Sequence, residues 1–398
     1  MVDSFIPQIR FKMCKNQWEK NKLSKLAKFN PKSTLPEKFK YVDLESVLGT
    51  DLISYREVSR ENAPSRAQRL AQKGDIFYQT VRPYQKNNYL FDSNEKDYVF
   101  STGYAQLRPL IDSAFLLARL QEESFVNMVL ERCTGTSYPA INSKDLSKIS
   151  VTIPQTTEEQ SAIGSLFCTI DDLLASYKEN LANYRSLKTT MLTKMFPKAG
   201  QTIPEIRMDG FKGEWEIKKF KSISNKRGKS NSKGYDLPAY SVSNQSGLIP
   251  QSEQFEGSRL ENLEKTSYKI VEPNEFAYNP ARINVGSIAF NDLDETVIVS
   301  SLYVIFSLDK SINNNYALLF IKSPEFNKEV RRNTEGSVRE YLFYENFANI
   351  RIPIPPSLEE QQAIGSYFSN LDNLISTHQE KISQLETLKK KLLQDMLI

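Results

Sequence analysis

The chain has 398 residues, of which 39% are hydrophobic, as expected of a globular protein with two or three domains. Its 52 basic and 48 acidic residues leave a formal net charge of +4, which is too small to indicate nucleic-acid binding by itself. Three widely spaced cysteines argue against a disulfide framework and a zinc site, and the lack of a signal segment or a long apolar run predicts a cytoplasmic protein.

From the N-terminus onward, the first recognisable feature is a segment that occurs twice. Ile6-Pro7-Gln8-Ile9-Arg10, followed by Trp18, recurs as Ile203-Pro204-Glu205-Ile206-Arg207, followed by Trp215. Lysines cluster after each copy, between positions 20 and 40 and between positions 218 and 229. Such clusters can be a solvated surface or a contact with phosphates, and the sequence leaves both interpretations open.

Further landmarks of this repeat follow in the same order in both halves. The matched segments are Gly74–Tyr78 with Asn274–Tyr278, Arg82 with Arg282, Ser101–Tyr104 with Ser300–Tyr303, and the helical patterns Ser113–Arg132 with Asn314–Asn333. The run from Val299 to Phe306 predicts a buried strand. Together these matches indicate two copies of one fold across nearly the whole chain.

Each copy closes with a strand-like run, Ile149–Ile153 or Ile350–Ile354, and then a long helix. Residues 158 to 170 read EEQSAIGSLFCTI, and residues 359 to 371 read EEQQAIGSYFSNL. Thr156 with Glu159, and Ser357 with Glu360, match a capping box. In that motif the hydroxyl accepts from a backbone N–H of the first turn and the glutamate reaches back to the cap.

Apolar residues recur along both helices at alternating steps of four and three, a heptad seam that predicts pairing of the two helices. The seam residues are Ile163, Phe167, Ile170, Leu174, Tyr177, Leu181 and Tyr184 in the first helix and Ile364, Phe368, Leu371, Ile375, His378, Ile382 and Leu385 in the second. Lys188 and Lys389 interrupt the seam at matched positions. A helix from Glu158 to Met195 would be about 57 Å long, so it could act as a ruler between two domains.

Motifs for catalysis are incomplete. Arg227-Gly228-Lys229-Ser230 lacks the first glycine of a phosphate-binding loop, because position 223 is Ile223. Asn279-Pro280 is followed by Ala281-Arg282 and not by the proline and aromatic residue of an amino-methyltransferase motif. The single histidine, His378, lies on the seam, so we predict no catalytic residue and no metal site in this chain.

The Ile-Pro, Glu-Glu-Gln and Ala-Ile-Gly motifs, the Asp171 or Asp372 position and the long Leu- and Lys-rich helix, each present twice, resemble the specificity (S) subunit of type I restriction-modification enzymes. The resemblance covers nearly the whole chain. It implies an α+β fold in which two pseudo-symmetric target-recognition domains are separated by a long antiparallel coiled coil of two conserved helices. The implied boundaries are 1–153 and 197–354 for the recognition domains and 154–196 and 355–398 for the helical spacers.

The resemblance also implies a function. Each recognition domain would read one half of a split, asymmetric target in double-stranded DNA. Two modification subunits would methylate adenine with S-adenosylmethionine, and restriction subunits would translocate and cleave DNA with ATP and Mg²⁺. This chain would bind no cofactor and no membrane. The alternative is a non-enzymatic scaffold of two protein-binding domains on a coiled coil, and salt-sensitive binding to duplex DNA would distinguish the two.

The two copies differ most in the loops that begin at Arg82 and Arg282, so these loops are the candidates for DNA contact. The candidate residues are Arg82, Tyr84, Gln85, Lys86, Asn87, Asn88 and Tyr138 in the first copy and Arg282, Asn284, Ser337 and Arg339 in the second. The alternative is that each arginine only closes the end of a strand.

Overall fold

The computed structural model describes residues 6–135, 137–198, 200–244, 247–254, 265–333 and 341–397. These residues form two compact units. Unit 1 comprises Met1–Asn180 and His378–Ile398, and unit 2 comprises Leu181–Thr377. No helix within the described ranges is long and apolar enough to span a membrane.

Unit 1 is a mixed assembly of short strands and helices. Its strands are β1 (Glu19–Lys22), β2 (Ala27–Phe29), β3 (Lys38–Val42), β4 (Val47–Leu48), β5 (Asp51–Leu52), β6 (Arg56–Ser59), β7 (Ala67–Leu70), β8 (Ile76–Gln79), β9 (Tyr89–Leu90), β10 (Tyr98–Ser101), β11 (Tyr104–Pro109) and β12 (Ser150–Ile153). Its helices are α1 (Leu23–Leu26), α2 (Ser113–Gln121), α3 (Glu123–Leu130), α4 (Ser143–Ser147) and the first part of α5 (Thr157–Lys194). Two four-stranded sheets, ordered β6-β3-β10-β7 and β2-β11-β8-β9, form its centre, and β1 pairs with β12.

Unit 2 is also a mixed assembly of short strands and helices, with one four-stranded sheet and several two-stranded sheets. Its strands are β13 (Glu216–Lys219), β14 (Ser224–Arg227), β15 (Tyr240–Ser243), β16 (Gly247–Pro250), β17 (Lys269–Val271), β18 (Phe276–Tyr278), β19 (Ile288–Phe290), β20 (Val297–Val299), β21 (Val304–Leu308) and β22 (Arg351–Ile354). Its helices are the end of α5, then α6 (Gln251–Gln254), α7 (Asn314–Ile321), α8 (Pro324–Asn333), α9 (Tyr344–Phe347) and the first part of α10 (Leu358–Met396). The central sheet is ordered β14-β21-β18-β19, and β13 pairs with β22.

The matched landmarks of the repeat are core residues of the two units. Tyr78 in β8 and Tyr278 in β18 are both fully buried. Trp18 packs edge-on against Phe115 in unit 1, and Trp215 packs edge-on against Tyr316 in unit 2. Burying aromatic side chains of this size supplies much of the hydrophobic free energy of each unit.

The structure confirms one predicted type of element and corrects two others. The strand-like runs before the long helices are confirmed as β12 and β22. The single helices predicted over 113–132 and 314–333 are wrong, because each is divided in two. In unit 1 the extended Glu122 caps α3 through its carboxylate, and in unit 2 Pro324 starts a new helix. The strand predicted from Val299 to Phe306 is also wrong, because a turn separates β20 from β21.

The Glu-Glu-Gln motif anchors the start of each long helix. Glu159 N donates to Thr156 Oγ1 at 3.4 Å, as a capping box requires. The predicted return of the glutamate to the cap is wrong, because the buried Glu159 carboxylate accepts from Arg10 at 2.6 and 2.7 Å and from Trp18 Nε1 at 3.2 Å. In unit 2 Glu360 binds Arg207 through two bonds of 2.7 Å.

The glutamine and glycine of the same motif join each long helix to the domain beside it. Gln160 accepts from Asp112 N and donates to Pro154 O, and Gln361 accepts from Asn313 N. A Cβ on Gly164 would lie 2.7 Å from Asp112 Oδ1, so α5 can approach the start of α2 this closely only with glycine there. The repeated Glu-Glu-Gln and Ala-Ile-Gly motifs therefore attach each long helix to the domain beside it.

Burial along α5 and α10 follows the heptad pattern. All fourteen predicted seam residues are buried or half-buried, and most of the positions between them are exposed. In unit 1, Asp171 pairs with Lys389, Lys178 pairs with Glu386 at 3.1 Å, and Tyr177 contacts His378. Residue numbers rise along one helix as they fall along the other, so the helices pair antiparallel.

The two lysines that interrupt the seam are satisfied by matched aspartates. Lys389 pairs with Asp171 in unit 1, and Lys188 pairs with Asp372 in unit 2. Burial raises the pKa of Asp171, and the Lys389 ammonium opposes that shift. A polar pair at a core position restricts the register in which two helices can meet.

Candidate nucleic-acid interface

The Arg82 loop of unit 1 follows β8 and holds a strained backbone. Arg82 and Lys86 both adopt left-handed conformations, with φ of 53° and 57°, on either side of a 3-10 turn at Pro83–Gln85. A left-handed residue other than glycine costs about 1–3 kcal/mol, so surrounding contacts must hold it. Arg82 N donates to Pro139 O at 2.7 Å, which ties the loop to the Tyr138 segment.

The Arg82 guanidinium stacks on an exposed aromatic ring. Its Cζ lies 4.3 Å from the centroid of the Tyr138 ring, and Tyr138 is 63% exposed. Within the part of the chain that the structure describes, no carboxylate forms an ion pair with Arg82. This contact holds the guanidinium against the ring and leaves its charge available to a ligand.

A cleft of about 400 Å³ lies beside this loop. Its far wall is the β4–β5 hairpin, which is attached to the loop because Gly49 N donates to Asn87 Oδ1 at 2.8 Å. Leu48 and Ile53 of this wall are 65% and 59% exposed. Sequence reasoning missed the hairpin, although Gly49-Thr50 between two short apolar runs is a recognisable turn signal.

The other candidate residues of unit 1 have different environments. Tyr84 is exposed at the tip of the turn, while Lys86 pairs with Glu123. Gln85 is exposed, and its Oε1 accepts from Gln79 Nε2 at 2.9 Å. Asn88 is buried and its Oδ1 accepts from Gln79 N, so it shapes the loop and does not face solvent.

In unit 2 the Arg282 loop has another conformation. Arg282 has a φ of −136°, so it lacks the left-handed backbone of Arg82, while Gly286 after the 3-10 turn Ile283–Val285 is left-handed like its counterpart Lys86. Both Arg282 and Asn284 are exposed. Leu342 N donates to Pro280 O, as Ile141 N donates to Thr80 O at the matched positions of unit 1. Candidates Ser337 and Arg339 lie outside the described residues.

The basic clusters divide into paired and exposed lysines. Lys40 pairs with Glu95, and Lys226 pairs with Glu345 at 2.7 Å. Lys20, Lys25 and Lys28 are exposed. Among the described residues, no group of three or more His, Cys, Asp or Glu could hold a metal ion.

The sequence of this chain matches a known protein family in both halves. The family model described as "Type I restriction modification DNA specificity domain" matches twice, over residues 15–183 and 212–387. The chain belongs to this family. The family domain thus occurs once in each copy of the internal repeat.

Individual members of the type I specificity family agree with this assignment. The MjaVIII specificity subunit of a type I restriction enzyme from Methanocaldococcus jannaschii is 23% identical over 323 residues, which cover 72% of this chain and 70% of that protein. The crystal structure of a type I S subunit from M. genitalium superposes with a TM-score of 0.63 at 15% identity, covering 99% of both chains. A structure from work on assembly and conformational transition of the type I R-M system gives a TM-score of 0.51 at 21% identity, covering 94% of this chain and 96% of that one.

Family membership confirms the specificity-subunit prediction. The chain is a non-catalytic specificity subunit that recognises a DNA target, and the protein-binding scaffold is not favoured. The Arg82 loop with its cleft and the Arg282 loop remain the predicted contact regions. The first combines a half-buried arginine with polar and aromatic neighbours, and the second carries an exposed arginine.

Proposed function

We propose that each unit reads one half of a split, asymmetric DNA target. The observation that carries this proposal is that the two copies share the contacts that attach each long helix to its domain but differ in their loops. Both copies keep the Arg–Glu anchor and the Tyr78 or Tyr278 core position. The loops between them differ in sequence, and Arg82 is left-handed whereas Arg282 is not. Different loops on one scaffold present different hydrogen-bonding groups, so the two half-sites differ in sequence.

We further propose the partners and cofactors of the whole complex. Two modification subunits supply adenine methylation with S-adenosylmethionine, and restriction subunits supply ATP- and Mg²⁺-dependent cleavage, in the cytoplasm. This chain binds none of these cofactors. Exposed leucines at matched positions of the long helices support one modification subunit per unit. They are Leu173 and Leu388 in unit 1 and Leu187 and Leu374 in unit 2.

The DNA target is tested by mapping methylated adenines in cells that carry this chain with its modification subunit. We expect one motif made of two unlike half-sites and a fixed gap of unread bases. The length of the paired helices would set that gap. A continuous or palindromic motif would contradict the proposal.

The partner number is tested by the native mass of the purified methylating complex. We expect two modification subunits for each specificity chain. Leu173→Glu with Leu388→Glu should release one of them, because the charges disrupt an apolar contact in unit 1 only. Leu187→Glu with Leu374→Glu is the matched variant for unit 2. Retention of both subunits in both variants would exclude these leucines as the docking sites.

A further inference from the structure

We propose that the cleft of unit 1 reads a G·C base pair, with Arg82 on the guanine and Glu45 on the cytosine. This inference rests on the proposed function of unit 1 and adds the identity of a base pair and a second residue that sequence reasoning did not select. Arg82 and Glu45 line the same cleft.

Arg82 has the chemistry and the support that guanine recognition requires. An arginine that donates two parallel bonds to guanine O6 and N7 is the commonest specific contact in the major groove. The contact depends on a fixed guanidinium plane, because a freely rotating group loses entropy when it binds. The Tyr138 ring, 4.3 Å from Arg82 Cζ, restricts the side chain, and the 2.7 Å bond to the Pro139 carbonyl holds the backbone.

Glu45 is the carboxylate of the cleft. Its side chain is exposed, and among the described residues no lysine or arginine pairs with it. Nearby Asp43, by contrast, pairs with Arg56 at 3.0 Å. An unpaired carboxylate at a DNA surface is repelled by phosphates, so it is tolerated best where it accepts a hydrogen bond from a base. The cytosine N4 amine is the base donor that glutamate accepts from.

Three other polar side chains of the cleft, Gln79, Gln85 and Asn87, make hydrogen bonds within the protein. Gln79 donates to Val81 O at 2.6 Å and to Gln85 Oε1 at 2.9 Å, and Asn87 Oδ1 accepts from Gly49 N. These bonds fix the cleft walls. Arg82 and Glu45 thus offer a donor pair and an acceptor, which match the guanine and cytosine edges of one pair.

The test is methylation of a DNA library with randomised half-sites by the intact complex of this chain and its modification subunits. Arg82→Ala and Glu45→Ala should relax the same base pair, a G·C pair in wild type, each by about 10- to 100-fold. Arg82→Lys should restore part of the guanine preference, since lysine donates without the planar fork. Arg282→Ala is the matched control and should leave this half-site unchanged.

The outcomes separate this inference from the function on which it rests. A wild-type motif without two half-sites would overturn the proposed function. If the motif is split but Arg82→Ala and Glu45→Ala relax different positions, the inference is overturned and the proposed function stands. The same holds if they relax an A·T pair, or if neither variant relaxes any position. If Arg82→Ala prevents assembly of the complex, Glu45→Ala and Arg82→Lys still decide, because both must alter preference at one G·C pair.

Discussion

Arg207→Ala is expected to destabilise unit 2 more than Arg10→Ala destabilises unit 1. Each arginine neutralises a buried glutamate whose side chain is only 2% or 1% exposed. Removing the partner of a buried charge costs about 3–5 kcal/mol. Glu159 keeps a second donor in Trp18 Nε1, whereas Trp215 Nε1 has no hydrogen-bond partner among the described residues. The loss in unit 2 should therefore be larger by about 1–2 kcal/mol.

The two tryptophans make this comparison measurable, because each unit holds one of them buried in its core. Urea unfolding of Arg10→Ala is followed by Trp18 fluorescence in a Trp215→Phe background. Unfolding of Arg207→Ala is followed by Trp215 fluorescence in a Trp18→Phe background. Glu360→Gln added to Arg207→Ala should recover much of the lost stability, because the buried charge is gone. Equal losses in the two units would show that the Trp18 bond does not support Glu159.

The anchors also show which features sequence can specify. The helix starts, the seam and the matched aromatic positions were predictable because each depends on local spacing or on repetition. The partner of Glu159 was not predictable, since Arg10 is distant in the sequence and the capping-box pattern offered a local alternative. Tertiary contact determined where that carboxylate points.

The candidate interface was predictable in part for the same reason. Arg82 and Tyr138 could be selected as loop residues, but their stacking at 4.3 Å depends on a left-handed backbone that no local signal requires at an arginine. The β4–β5 hairpin was missed because its turn signal, Gly49-Thr50, lies between strands of only two residues, which carry too little alternation to be recognised as strands. Asn88 is a residue type that often contacts DNA, yet its side-chain amide oxygen accepts from Gln79 N and holds the loop in place.

A change in the length of α5 should alter the spacing of the DNA target. Four residues inserted after Ser176 add about 6 Å of helical rise, close to two base pairs of DNA. Four residues are also nearly one turn, so Leu181 and Tyr184 stay on the seam face and pairing with α10 can persist as a stutter. Both half-sites should keep their sequences while the gap lengthens by one or two base pairs.

The matched insertion after Thr377 in α10 should lengthen the gap in the same way, because it lies at the corresponding position of the repeat. A two-residue insertion after Ser176 rotates the downstream seam by about 200° and turns its apolar residues toward solvent. That variant should lose the cooperative folding of unit 2, because Met195 and Phe196, which directly follow α5, are buried in the core of that unit. Methylome mapping of the four-residue variants and thermal melting of the two-residue variant provide the measurements. If an active four-residue variant keeps the original gap, the helix is longer without any effect on the distance between half-sites. The spacing would then be set by the modification subunits or by the path of the DNA.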